Sequence, residues 1–178
     1  MKKTIALMAT VSAFAFTFNA NALEYTPYVA ADYTYTDIPS TANVNGGKVA
    51  IGTEYNKYFG TEVFYQRTGS DRVHSSEGTN EYSLQSYGLD VYGYLPLGCD
   101  QVLSLVGTAG ISNVDVVYKH VGEKRETENG LGYRLGAGFE YDVNSNVSVR
   151  ALYRYTFTDK VNTLDHIDEY SLGVKYAF

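Results

Sequence analysis

Three histidines, one cysteine and a scatter of serines are the residues with which this 178-residue chain could do covalent or metal chemistry. A hydrolytic site needs a nucleophile, a base and an orienting group in contact. The only suggestive neighbours are His74-Ser75-Ser76 and Asp165-His166. His74, His120 and His166 fall in three separate polar stretches, and neither they nor the scattered carboxylates show metal-ligand spacing. Cys99 has no second cysteine to pair with. No catalytic residue, metal ligand or cofactor is expected.

A second set of chemistry-bearing residues is larger and better ordered. Asp32, Glu54, Glu62, Asp90 and Glu140, with Lys48, Arg134, Arg150, Arg154 and Lys175, each fall on the polar side of a period-two segment. The rest of that side is rich in Gly, Ala and Ser. Unpaired charge in a confined, water-poor space is costly. Five acids against five bases therefore point to a paired network that fills a narrow interior, whereas an open selective pore would carry an excess of one sign. Hairpin pairing brings Arg134 near Arg154, so Asp90 or Glu140 is expected beside them. The plain role of such a network is to specify packing and register. The sharper alternative is a narrow or gated passive path, opened when the charges change partners.

Eight segments must position these charges. Strand side chains alternate between faces, and an apolar face recurs from Tyr25 to Tyr35, Lys48 to Tyr55, Phe59 to Arg67, Ser86 to Leu95, Val102 to Ile111, Gly132 to Tyr141, Val147 to Phe157 and Tyr170 to Phe178. The fifth is the least clean, because Val114, Val116 and Tyr118 change phase beyond it, which fits either a bulge or an extension above a membrane. Connectors alternate in length. Short links lie near Asn56 to Tyr58, Pro96 to Gln101 and Asp142 to Asn146; long ones cover Thr36 to Gly47, Gly69 to Glu81, Ser112 to Asn129 and Asp159 to Asp168. The fold expected is an all-β, eight-stranded antiparallel up-and-down transmembrane barrel with short periplasmic turns and longer extracellular loops.

The N-terminus supports that destination. Lys2 and Lys3 precede an apolar run from Ile5 to Phe18, and Ala20-Asn21-Ala22 follows as a small-residue cleavage pattern. This is the three-part design of a signal peptide, and the run is shorter than the roughly 20 residues a spanning helix needs. Residues 1–22 are expected to be a signal peptide and 23–178 one barrel domain. Without Lys2 and Lys3 the 14 basic residues become twelve against 20 acidic, a net charge of −8, with no basic patch for nucleic acid.

A soluble barrel of the lipocalin kind would show the same alternation with its apolar face turned inward. The small residues of the polar face suit a narrow lumen better than a solvated exterior. Tyr35, Tyr55, Phe59, Tyr65, Tyr87, Tyr133, Tyr141, Phe157, Tyr170 and Phe178 lie near strand ends on the apolar face, as aromatic girdles would place them. Tyr25 to Tyr33, Tyr58 to Tyr65, Tyr87 to Leu95, Gly132 to Tyr141 and the last strand together resemble the small OmpA-like and opacity-type outer-membrane barrels. That resemblance implies a location in the outer membrane of a Gram-negative bacterium. It also implies that Tyr170, Leu172, Val174, Tyr176 and Phe178 are read by the barrel-insertion machinery. Some small barrels act on lipid A or peptides, which leaves an enzyme as a lesser alternative. The reading preferred here is a non-enzymatic protein that supports envelope integrity or adheres to a surface or host partner through its long loops.

Overall fold

The computed structural model of the chain describes residues 25–38, 42–69, 71–75, 78–120, 126–159 and 166–178. They form strands β1 (Thr26–Ile38), β2 (Ala42–Asn56), β3 (Phe59–Thr68), β4 (Asp71–Ser75), β5 (Gly78–Leu97), β6 (Leu103–His120), β7 (Glu126–Asp142), β8 (Val147–Asp159) and β9 (His166–Ala177). Because β3 and β4 both pair with β5, they make one stave, and the barrel has eight. Antiparallel pairing runs from each stave to the next, and β1 with β9 closes the ring. Closure leaves no sheet edge exposed to lipid.

Register fixes the tilt. Followed from partner to partner, Thr26 leads through Glu54, Gly60, Tyr92, Thr108, Gly136, Arg154 and Glu169 back to β1 at Thr36. A shear of ten residues in eight staves belongs to strands tilted by roughly 35–45°, and such a barrel is just wide enough for side chains to fill.

The inside is polar and the outside apolar. Arg150 and Arg154 are 1% and 0% exposed, whereas Ile51 and Leu172 are each 64% exposed. A soluble barrel would reverse those figures. Side-chain caps shape the turns at the end where β1 begins and β9 finishes. Asn56 Oδ1 accepts from the Tyr58 N–H at 2.8 Å, and Asn144 Oδ1 from the Asn146 and Val147 N–H groups at 2.9 Å each. Gly98 takes a φ of 77°, a left-handed value that suits glycine.

At the opposite end the predicted long loops are mostly strand. Thr36–Ile38 and residues 42–47 pair as the end of the first hairpin, and Asp71–Ser75 pairs with Gly78–Tyr82. The β6–β7 ladder continues to Tyr118 opposite Glu126. Backbone pairing needs no apolar side chain, so polar stretches read as loops became ladder. The 20 residues of β5 are about twice the 9–11 that a spanning strand needs.

The phase change in β6 is an extension, without a bulge. Its register with β5 and β7 is unbroken from Leu103 onward. Up to Ile111 the outward positions carry Leu103, Leu105, Ala109 and Ile111; then Asn113 and Asp115 occupy them and Val114 is buried inside. The same exchange occurs around the ring, with Val44, Leu84 and Ile167 buried inside at the outer end. The wall is the same, and the solvent outside it changes from lipid to water. Tyr35 and Asp37, Tyr65 and Arg67, and Tyr170 and Asp168 straddle that boundary along their strands.

Candidate functional site: the charged interior

The ten predicted charges all lie on inward faces, and an eleventh joins them. Glu169 is 5% exposed and stands directly opposite Arg154 across the β8–β9 ladder. The sequence reading begins the last strand one residue later. Counting back in twos from Lys175 through Gly173 and Ser171 reaches Glu169, so the signal was present. Among the described residues the interior holds six acids and five bases, not five of each.

They divide into three tiers. In the middle, Arg150 clasps Asp32 through Nε and Nη2, both at 2.8 Å, and donates from Nη1 to Glu62 at 2.6 Å. Lys48 Nζ lies 2.9 Å from both of those carboxylates. The hydroxyls of Tyr92 and Tyr28 also donate to Glu62, at 3.0 and 3.2 Å. Charge-assisted bonds of this kind, one of them bidentate, are the strong class.

Toward the outside, Arg154 donates to Glu169 at 2.8 Å, and Gln66 donates to the other oxygen of Glu169 at 2.6 Å. Arg134 sits 4.0 Å over the Phe64 ring. Its nitrogens are 3.6 Å from Asp90 and 3.6 Å from Glu169, too far for hydrogen bonds. Asp90 is also 3.9 Å from Arg154. Asp90 thus neighbours the two arginines as expected, while Glu140 does not. Glu140 lies three inward positions along β7 toward the periplasm, and there it meets Lys175, which also bonds Glu54 at 2.5 Å. Two tiers balance two against two, and the surplus carboxylate is at the periplasmic mouth, where Glu54 is part exposed.

Glycines on intervening strands let these bonds form. Asp32 on β1 and Arg150 on β8 are next-nearest staves, with Gly173 of β9 between them in register. A Cβ built on Gly173 would fall on the Asp32 carboxylate. Gly110 of β6 stands likewise between Asp90 and Arg134, and its Cβ would strike Asp90. Neighbouring strands are about 4.8 Å apart, so each missing side chain opens the direct line across one stave.

Histidine chemistry finds no such assembly. His74 and His120 lie in β4 and at the end of β6, in strands and not loops. Ser76 and Asp165 fall outside the described residues, as do residues 1–22. Among the described residues no three of His, Cys, Asp and Glu gather to hold a metal.

A family model described as "Outer membrane protein beta-barrel domain" matches residues 4–178. The chain belongs to that family. This outer-membrane barrel also resembles solved structures at identities that speak for the fold alone. Neisserial surface protein A has a TM-score of 0.64 and 22% identity, with 86% of this chain and 97% of that one covered. A major outer membrane protein from Thermus thermophilus has a TM-score of 0.67 and 14% identity, covering 87% and 100%. Ail, the attachment invasion locus protein of Yersinia pestis, has a TM-score of 0.59 and 16% identity, covering 88% and 99%. Ail has also been solved with the heparin analogue sucrose octasulfate. No curated protein sequence matches the barrel.

Proposed function

We propose that this outer-membrane barrel is a non-enzymatic surface protein. Its tall outer hairpins contact another surface and its wall contributes to envelope integrity. The filled interior carries this reading. With Arg150 and Arg154 tied to carboxylates from other staves, the lumen is occupied at mid-height, and the remaining accessible chemistry is on the hairpins. Along the sequence of two of them, Asp71, Arg72, Glu81, Lys119, Lys124, Arg125, Glu126 and Glu128 mix both signs, which suits electrostatic guidance of an encounter. That a similarly folded protein, Ail, is an attachment protein is in keeping with this use. Replacing the hairpin ends at 70–81 and 116–128 with short turns should abolish binding to a cognate surface while cells keep their detergent resistance. If binding survives both replacements, the hairpins are not its seat. If resistance falls with them, the two roles are not separable.

A passive pore is the second reading, favoured by one observation. Both Nη atoms of Arg134 and both carboxylate oxygens of Asp90 have no hydrogen-bond partner among the described residues, so the outer tier is the looser one.

In the same proposal, residues 1–22 are a signal peptide cleaved near Ala22, and the last strand is read by the insertion machinery. Among the described residues, Phe178 is tied to the barrel by its N–H on the Pro27 carbonyl, at 3.0 Å, and by an edge contact with Tyr176. Deleting Phe178 should therefore lower the folded yield in cells several-fold, yet leave the unfolding free energy of refolded protein within about 1 kcal/mol of the parent, the scale of one hydrogen bond. Equal yields of parent and truncated chain in the outer-membrane fraction would remove the recognition role.

A further inference from the structure

Six Val, Leu and Ile side chains are buried among the described residues. Val106 and Leu152 lie low in the barrel, packed with Tyr92 and Tyr94. The other four, Val44 of β2, Leu84 of β5, Val114 of β6 and Ile167 of β9, stand inside the outer end and are 3%, 4%, 2% and 5% exposed.

Register places these four at one height. The ladder climbs ten residues in a circuit of eight staves, so each step to the next stave adds a little over one residue. With that correction the four fall within about one strand residue, roughly 3 Å, of a common level. Thr36 of β1 and Thr68 of β3 are buried next to it. The Thr68 hydroxyl accepts from the Leu84 N–H at 2.9 Å and donates to the Leu84 carbonyl at 3.2 Å, so it adds no free polar group. An eight-stave barrel is just wide enough for side chains to fill, and four aliphatic side chains at one level close it. Asp37 and Asn113 face outward at about that height, so the level lies past the lipid boundary, where water meets the barrel end.

The groups beneath supply the second observation. Thr34 Oγ1, Ser112 Oγ, both Oδ atoms of Asp90, both Nη atoms of Arg134 and Nε of Arg154 are buried without a hydrogen-bond partner among the described residues. Such groups bind water when it reaches them, because an unmade buried bond is costly. Charge pairing does not shield them, since Arg134 lies 3.6 Å from both Asp90 and Glu169 and is hydrogen-bonded to neither. Between these atoms and the external water stands the aliphatic level.

We propose that Val44, Leu84, Val114 and Ile167 form an apolar stopper that keeps external water and ions off the outer charge tier. Hydrophobic constrictions close by dewetting, so this closure acts separately from the ion pairs at mid-height. Charge shuts the lumen within the bilayer, and apolar packing shuts it above. The stopper holds whatever surface the hairpins contact.

A thiol placed beneath the stopper tests it. Ser112, 2% exposed, is changed in Ser112→Cys with Cys99→Ser, so that the barrel carries one thiol. Refolded protein in nanodiscs is treated with a trimethylammonium methanethiosulfonate, and the exposed Cys99 of the parent supplies the fast reference rate. The reporter should react far more slowly than Cys99. Leu84→Ser with Val114→Ser should speed it at least about tenfold, because burial of each aliphatic side chain opposes wetting by about that factor. Val44→Ser with Ile167→Ser, on other staves, should do the same, and it decides the matter where the first pair fails to fold. Asp90→Asn, with the stopper intact, should leave the reporter protected. Heat-modifiable gel mobility establishes that each variant is folded. Rapid labelling beneath an intact stopper overturns the proposal, as does continued protection in a folded serine pair. Equal exposure by Asp90→Asn overturns it too, because the charges would then be what keeps the reagent out.

Discussion

Replacing Arg150 with methionine is expected to destabilise the barrel by about 3–5 kcal/mol, the usual cost of removing one partner from a buried charge cluster. The substitution leaves Asp32 and Glu62 to share Lys48, and both carboxylates are at most 4% exposed. Neither can move to water, because each projects from a stave into a closed ring. Urea unfolding in lipid vesicles would read the loss as a lowered midpoint. Adding Asp32→Asn and Glu62→Gln to Arg150→Met should recover part of it, since neutral polar groups cost less to bury than unpaired charges. An unfolding free energy for Arg150→Met within about 1 kcal/mol of the parent, the scale of one ordinary hydrogen bond, would mean that this middle tier does not hold the barrel together.

Gly173→Val is the second large effect, and it removes no charge. Its Cβ would occupy the place of the Asp32 carboxylate, so Asp32 must leave the Arg150 fork. Overpacking alone costs about 1–3 kcal/mol, and the displaced bidentate bond adds to it. The control is Gly107→Val on the outward face, where a Cβ meets nothing within 4 Å; that change should be neutral or slightly stabilising, as β-branched residues favour strands. A double-mutant cycle sharpens the point. In an Asp32→Ala background the cost of Gly173→Val should fall by at least about 1 kcal/mol, the coupling expected of contacting residues. Strict additivity would mean that Gly173 is needed for some reason other than space for Asp32.

These two residues also show what the sequence made readable. Alternation placed all ten charges on one face and located each spanning segment, because lipid outside and a confined polar interior impose opposite demands on successive residues. Glu169 escaped because its neighbours Asp168 and His166 are polar on the outward side, so the strand looked finished at Tyr170. Val114 looked out of phase for the converse reason: above the bilayer the wall turns its apolar side inward. The role of Gly173 was not legible at all. It depends on which residues of β1 and β8 flank it, and that is a matter of register and shear that no single strand contains. The destination of Glu140 likewise followed from height along β7, which simple hairpin adjacency does not supply.

If paired side chains close the lumen and the protein works at its surface, the barrel should not conduct. Single-channel recording of the refolded protein in planar bilayers tests this most directly. No resolvable conductance steps are expected from the parent across the voltage range the bilayer tolerates. Stable, stepwise conductance from the unmodified barrel would contradict a closed lumen and make the looser Arg134–Asp90 tier the place to look for a gate.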